Sequence, residues 1–479
     1  MGEGLNIKFD YESLVYNFEL LRNITGYVEN TIPVVKANAY GVGANNIVKT
    51  LLNLKEPQKK YCVYSVDEGI ELRKNFPQLE IFVLGGILKG EEEYFKKYKL
   101  IPVVNSFNQL KLCQNNDIKD LALQFNTGLN RNGIQLKEIS KVRKFIDENK
   151  IKVLMIVSHF ACADDLGSPI NQEQIINFEK IVKYFPEKNI LRSISASDGV
   201  VNFELGELCN TCRVGLGLYG YYKGFKPIYS IYSIVKYEGK NLYMPIGINN
   251  GLMSEYKKGY VFINNQKIKI KEILNGKTIL ESDDKNIENA SIEILGENIS
   301  MKEFGEMSGT DIRDIVARLI SNVQEKQKNS ENIYRINATI KNNEFISFYS
   351  TIIEKRIVEK DGIVGYGATE NVKKGDKLAT FAGGYLDGLP RCISGKKCFV
   401  YIKKIDGKYA KCEIFGKISM DQTIVKVDEN DYRNIKIGAK VIIFDKEHSI
   451  KQFEKATGKS RNELFFYLSK SSRVKCLCF

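Results

Sequence analysis

Val35-Lys36-Ala37-Asn38-Ala39-Tyr40-Gly41 ends the apolar run Ile32-Pro33-Val34-Val35 with an amine and follows it at once with a small, glycine-bearing turn. A lysine at the end of a buried strand is desolvated on one side, and the neutral amine that desolvation favours is the nucleophile that forms a Schiff base with an aldehyde. Tyr40 and the Gly41/Gly43 turn add a hydroxyl and close backbone approach, which an anionic phosphate requires. An ordinary strand end with a solvated lysine is the competing explanation.

From Ile7 to about Tyr222, short apolar runs alternate with amphipathic segments. Ile32–Val35, Tyr61–Val66, Ile81–Leu84, Ile101–Val104, Leu121–Phe125, Val153–His159 and Leu191–Ser195 read as strands. Tyr11–Arg22, with Leu14, Phe18 and Leu21 on one face, Ile47–Leu54, Asp67–Asn75 and Gln172–Tyr184 have helical spacing. Such repeated units predict an α/β fold with a parallel (β/α)8 barrel of the TIM type, because no Gly-rich dinucleotide fingerprint follows the first strand. Lys36, Arg131, His159, Ser197 and Arg213 then fall at or just after strand ends, which share one mouth in a barrel.

After Tyr222 the pattern turns to short strands and Gly-, Asn- and Lys-rich turns, and it contains an internal repeat. Leu242–Gly251 parallels Leu378–Gly388, and Ile299 through Gly309 parallels Ser449 through Gly458. Ser230–Val235 and Ser347–Ile352 read as two copies of the strand leaving the barrel. The expected domains are a barrel over 1–235, a degenerate β-rich copy inserted over 236–335, and a complete β-rich C-terminal domain over 336–479. Helical spacing in Asp311–Gln324 closes the first copy, and Lys326–Asn332 reads as the linker.

At 479 residues the chain is too long for one ordinary core. Its 43% hydrophobic and 27% charged content describes a soluble globular protein. No apolar run approaches the ~20 residues of a membrane span, and Met1-Gly2-Glu3-Gly4 lacks a signal pattern, so a cytoplasmic address is expected. The net charge of +13 is scattered without a basic stripe, which argues against nucleic-acid binding and is mildly favourable to small anions. Cys209 and Cys212 form a C-x-x-C, but there is no second pair at finger spacing and only two histidines, so reduced thiols are expected and no metal.

Several further stretches stand beside the lysine. Val364-Gly365-Tyr366-Gly367-Ala368-Thr369 exposes a tyrosine between glycines, although with 26 tyrosines a plain turn residue is a serious rival. Cys212-Arg213-Val214-Gly215-Leu216-Gly217-Leu218-Tyr219-Gly220, Ser158-His159-Phe160-Ala161-Cys162-Ala163-Asp164 and Asn126-Thr127-Gly128-Leu129-Asn130-Arg131-Asn132-Gly133 complete the barrel set. Gly384-Tyr385-Leu386-Asp387-Gly388 and Ser419-Met420-Asp421 lie in the C-terminal region.

Together these stretches resemble the motifs of the alanine racemase family, enzymes that depend on pyridoxal 5'-phosphate (PLP). The resemblance implies that Lys36 carries the cofactor and is one of two racemisation bases, with Tyr366 the other, delivered from the partner subunit of a homodimer. It further implies that Tyr40, Ser197 and the amides of Gly215 and Leu216 hold the phosphate, and that Arg213, supported by His159, faces the pyridine nitrogen. Arg131 would meet the substrate carboxylate, while Tyr385 and Met420 would line the substrate entrance from the partner. Inverting an amino acid needs a base on each face of a planar carbanion, and the phenol needs a cationic surround, protonated His159 or Arg131, to hold its anion. The implied activity interconverts L- and D-alanine and supplies D-alanine for peptidoglycan.

This chain departs from the family at Val42 (family His), at Gln124 (family carbamylated Lys, here expected to orient Arg131 as an amide) and at Asn462 (family phosphate-binding Tyr, with Tyr467 a shifted substitute). Ile248 stands where Tyr385 does in the other copy, so the degenerate copy supplies no second base. Other readings are a decayed or non-catalytic PLP-binding homologue, a racemase of another small amino acid, and a decarboxylase of similar fold, which V-G-Y-G-A-T argues against.

Overall fold

The computed structural model describes residues 4–308, 346–468 and 475–478, apart from 223, 253–255, 257, 283, 446 and 460. Asp311–Gln324 and Lys326–Asn332 lie outside the described residues. The chain divides into two compact units, one of residues 11–226 with 356–380, the other of residues 1–10, 227–355 and 381–479.

In the first unit eight parallel strands follow one another: Thr31–Pro33, Lys60–Val63, Glu80–Val83, Ile101–Val104, Asp120–Gln124, Lys152–Val157, Leu191–Ser193 and Cys212–Val214. Strands two to seven form one sheet in sequence order. A parallel bridge from Val34 to Cys62 adds the first strand, and pairing of Ile32 with Arg213 joins it to the eighth. Arg213 N–H donates to Ser195 O at 3.1 Å, linking the seventh to the eighth and closing the barrel. Inward residues such as Ile32, Cys62, Phe82 and Val103 are fully buried. Each large apolar side chain so buried stabilises the fold by about 1.5–3 kcal/mol.

Helices pack outside this barrel on their apolar stripes. Tyr11–Thr25 buries Leu14, Phe18 and Leu21, spaced so that one helix face meets the strands. The eighth strand, Cys212-Arg213-Val214, is not among those read from the sequence, which placed Arg213 at or just after a strand end and not within a strand. Three residues with a charge at the centre do not register as an apolar run.

The second unit holds antiparallel sheets from two stretches of chain. In the first, Tyr229–Ile234 runs between Asn6–Phe9 and Ser291–Leu295, and the sheet continues through Tyr260–Ile263, Gln266–Ile273, Thr278–Leu280, Asn241–Met244 and Lys236–Glu238. In the second, Ile346–Ile357 pairs with Lys440–Phe444 and Lys475–Cys478, beside Phe399–Lys403, Tyr409–Ile414, Gln422–Val427 and Lys377–Ala382.

One turn occurs in both stretches with the same conformation. Gly247 (φ −147°, ψ −155°) precedes Ile248–Asn250 and Gly251 (φ 93°), while Gly384 (φ −146°, ψ −153°) precedes Tyr385–Asp387 and Gly388 (φ 88°). Asn250 Oδ1 accepts from Gly247 N–H at 3.0 Å, and Asp387 Oδ2 accepts from Gly384 N–H at 2.8 Å. Thr278 donates to Ile246 O and Thr423 to Gly383 O, at 2.7 and 2.8 Å. At both glycines a Cβ would lie 2.1 Å from a backbone oxygen, of Leu274 and of Ser419, so only glycine fits either turn.

Candidate active site

The lysine turn has an unusual backbone. Ala37, Asn38, Ala39 and Tyr40 all have positive φ, between 51° and 57°, making one left-handed helical turn without a glycine. Left-handed geometry costs roughly 1–2 kcal/mol per L-residue, so the turn needs external support of roughly 4–8 kcal/mol. Part of it is local: Gly41 N–H donates to Ala37 O at 2.9 Å, Gly43 N–H to Asn38 O at 2.9 Å, and Ala44 N–H to Asn38 Oδ1 at 2.8 Å.

Further support comes from Glu68. Its Oε1 accepts from Ala37 N–H at 2.7 Å, and its Oε2 accepts from Tyr64 N–H at 2.7 Å and Ser65 N–H at 3.2 Å. Glu68 also forms a capping box with Ser65 at the head of helix Val66–Asn75, so one carboxylate ties a helix start to the lysine turn. The sequence reading missed it, although Ser65-Val66-Asp67-Glu68 carries the S-x-x-E signature of such a cap.

Tyr40, Ser197, Gly215 and Gly217 come together. Ser197 Oγ accepts from Gly215 N–H at 3.2 Å and Gly217 N–H at 2.9 Å. A Cβ at Gly215 would lie 2.6 Å from Tyr40 Oη, so the bare glycine is what admits the hydroxyl. Tyr40 packs against Tyr219 at 4.8 Å between ring centres, and Tyr219 Oη donates to Val34 O at 2.8 Å. Leu216 lies in the same turn, its carbonyl accepting from Tyr221 N–H at 3.0 Å. Two hydroxyls and a glycine-rich turn, two of whose amides donate to Ser197 Oγ, gather in the same compact unit as the lysine and fit a phosphate-bearing aldehyde.

Arg213 is buried, with Nη1 donating to Ser193 O at 3.0 Å and Ser193 Oγ at 2.5 Å, and Nη2 to Ser158 O at 2.6 Å. Nη2 also lies 3.4 Å from His159 Nδ1. An arginine only donates, so Nδ1 is an acceptor there and the proton of a neutral imidazole sits on Nε2. Burial first, then the charges of Arg131, Arg213 and Lys36, hold the His159 pKa well below the ordinary histidine value. The ring is therefore neutral, which corrects the expectation that a protonated His159 could be the cation beside Tyr366.

His159 Nε2 lies 3.0 Å from Tyr366 Oη, and Arg131 Nη1 donates to the same oxygen at 2.6 Å. The cation is thus Arg131. Because both neighbours donate, the phenol oxygen accepts twice and its own proton is left to point elsewhere.

Tyr366 reaches these groups within one chain, whereas the resemblance implied delivery from a partner. Segment 356–380 is part of the barrel's compact unit. Asn130 Nδ2 donates to Ile363 O at 2.7 Å, Gly365 N–H to Leu129 O at 3.0 Å, and Gly367 N–H to Ala161 O at 3.1 Å. Gly365 and Gly367 take φ of 74° and 73°, which sharpens the turn that presents Tyr366. Ile363, Tyr366 and Ala368 pack on buried Leu129, Ala161 and Cys162.

Gln124 does not orient Arg131 directly. Its Nε2 donates to Asn132 Oδ1 at 2.6 Å, and Asn132 Nδ2 donates to Asn105 Oδ1 at 3.1 Å, so the amide braces the loop next to the arginine. Tyr385 and Met420 belong to the other unit, where both are buried and neighbouring: Tyr385 N–H donates to Ser419 O at 3.1 Å and Leu386 N–H to Met420 O at 3.2 Å. Tyr467 Oη donates to Glu463 Oε1 at 3.0 Å. The Asn462 side chain and Ser472–Val474 lie outside the described residues. Among the described residues eight cysteines are free thiols, and no group of His, Cys, Asp and Glu could hold a metal ion.

Two family models match, alanine racemase N-terminal domain over residues 9–223 and alanine racemase C-terminal domain over 345–476. An alanine racemase of Rickettsia bellii is 37% identical over 205 residues, 40% of this chain and 48% of its own length, so the chain spans about half of that relative. One from Fusobacterium nucleatum is 30% identical over 296 residues, covering 55% of this chain and 82% of that protein. Another, from Staphylococcus saprophyticus, is 23% identical over 92% of this chain and 85% of its own. Among solved structures, alanine racemase from Bartonella henselae with covalently bound pyridoxal phosphate has a TM-score of 0.59 at 24% identity, over 67% of this chain and 97% of that one. The Corynebacterium glutamicum enzyme gives a TM-score of 0.60 at 21% identity, over 66% and 97%, and at such identities these structures speak to the fold. With both family domains present in the family's order and a relative matched over four fifths of its length, the chain belongs to the alanine racemase family.

Proposed function

We propose that this chain is a PLP-dependent alanine racemase that interconverts L- and D-alanine with Lys36 and Tyr366 as its two bases. The observation that carries the reading is the pair of donors, Arg131 Nη1 and His159 Nε2, on the oxygen of Tyr366, with His159 also within the field of Lys36. Bound at Lys36, PLP supplies the electron sink that makes the α-proton of alanine removable. Tyr40, Ser197 and the Gly215–Gly217 turn would hold its phosphate, and Arg213 would face its ring nitrogen as a donor that keeps its proton.

The chain's own residues then handle the proton. In one direction Tyr366 must give up its proton before it can accept one from the substrate, and Arg131 and the His159 Nε2–H stabilise the phenolate that results. In the other direction the phenol delivers its proton, and the amine of Lys36 works on the opposite face. Arg131 Nε is buried without a partner among the described residues, and a substrate carboxylate is an acceptor that fits it. A site crowded by Tyr366 favours a small side chain, with other small amino acids as the nearest alternatives.

This reading does not need a partner subunit to deliver Tyr366, and what supports it is the contact of Tyr366 with Arg131 and His159 of its own chain. Use of the product in peptidoglycan and a cytoplasmic address go with the family activity; no helix among the described residues is long and apolar enough to cross a membrane. Chiral chromatography of L-alanine incubated with the chain and PLP tests the proposal. Equal amounts of the two enantiomers at equilibrium are expected, and D-alanine no higher than with Lys36→Ala refutes it.

A further inference from the structure

We infer that Tyr366 serves the Lys36 of its own polypeptide, so that each chain is a complete two-base unit and a second copy is not needed for turnover. The inference rests on the racemase reading above and concerns how that site is assembled. In the arrangement implied by the resemblance, the β domain that follows a barrel gives its tyrosine to another chain's barrel. Here the strand leaving the barrel, Tyr229–Ile234, enters a sheet between Asn6–Phe9 and Ser291–Leu295, so the stretch directly after the barrel is the first β-rich copy. That copy carries Ile248 in the turn where the second carries Tyr385, and it has no V-G-Y-G-A stretch. The complete copy begins near Ile346, after residues 235–345 have intervened. One barrel is thus followed by two β-rich copies, the number that a barrel would meet in a two-subunit site with one from each chain.

The contacts of segment 356–380 bear this out at the residue level. Three main-chain carbonyls take part in holding it: Leu129 O and Ala161 O accept from Gly365 and Gly367, and Ile363 O accepts from Asn130. Thr380 Oγ1 donates to Arg131 O at 2.9 Å, so the far end of the segment fixes the backbone of the arginine whose side chain holds Tyr366. Two ion pairs hold the start of the segment, Lys137 with Glu359 at 2.9 Å and Lys360 with Glu173. Apolar packing of Ile363, Tyr366 and Ala368 on Leu129, Ala161 and Cys162 follows further along the segment. Main-chain bonds of this kind specify one docked conformation, because every donor used here would otherwise lose its acceptor on burial.

The ion pairs give a test that does not depend on turnover. Zero-length carbodiimide coupling of the dilute full-length chain without cofactor, followed by a denaturing gel and mass spectrometry, should place the Glu173–Lys360 and Lys137–Glu359 junction peptides in the one-chain band. Their recovery only from the two-chain band overturns the inference. A second arm mixes Lys36→Ala with Tyr366→Phe under conditions that permit subunit exchange. A shared site would restore about one quarter of wild-type activity, because half of randomly paired dimers hold one intact site of two. Intrachain assembly predicts no restoration. If the wild-type chain itself fails to racemise alanine, the functional reading is lost, and the cross-linked peptides alone decide the assembly.

Discussion

Replacing Glu68 with alanine removes the acceptor for three backbone N–H groups, those of Ala37, Tyr64 and Ser65, without touching any group proposed to meet substrate. Each donor left without a partner costs about 1–3 kcal/mol, and because Ala37 and Ser65 are only partly buried the lower end applies, giving about 3 kcal/mol in all. For a unit of this size each kcal/mol moves Tm by about 2–4 °C, so Glu68→Ala should melt about 6–12 °C below wild type. Glu68→Gln keeps one carbonyl acceptor and should fall between the two. Ser65→Ala loses only the cap hydroxyl, worth about 1 kcal/mol, and separates helix capping from support of the lysine turn. Because the left-handed turn sets where Lys36 points, Glu68→Ala should also weaken PLP binding, read by titration of the visible absorbance of the lysine-bound cofactor. Wild-type Tm together with wild-type cofactor affinity in Glu68→Ala would refute the assignment of that carboxylate as the turn's support.

Three other outcomes are expected. Lys36→Ala should abolish the visible absorbance band, whereas Tyr366→Phe should retain it and lose racemisation, most severely in the direction that needs the phenolate; wild-type turnover by Tyr366→Phe contradicts its role as a base. Gly215→Ala places a methyl 2.6 Å from Tyr40 Oη, so it should displace the hydroxyl and weaken PLP binding about tenfold or more, measured by equilibrium titration. For His159 the folded pKa is depressed, so the unfolded chain binds a proton that the folded chain refuses. Its contribution to stability is full above about pH 6.5 and is lost as pH falls below that, by at most about 1.4 kcal/mol per pH unit; His159→Gln should flatten this slope in denaturant titrations.

The barrel was readable from sequence because its buried parallel strands are continuous apolar runs separated by helical stripes, a signal that each segment carries by itself. Only Cys212–Val214 escaped, being three residues long with Arg213 at its centre. Arg131, His159 and Tyr366 were singled out from local stretches, and the structure brings their side chains into hydrogen-bond contact. Other features depend on distant parts of the chain. Glu68 holds a donor 31 residues upstream, and nothing in its own surroundings announces that. The positive φ of Ala37 through Tyr40 has no glycine to mark it. Where the Tyr366 segment docks on the barrel is set by carbonyls at Leu129 and Ala161, and a backbone carbonyl has no letter in the sequence. The neutral state of His159 likewise follows first from burial and then from three cations that converge only once the barrel closes.

The claim that one chain holds both bases is tested most directly by separating the protein on a sizing column with in-line light scattering and assaying each fraction for D-alanine formation. The account predicts racemisation by the species with the mass of a single chain, 54.6 kDa, at a rate per chain that does not fall on dilution. Activity confined to a species of twice that mass would contradict it.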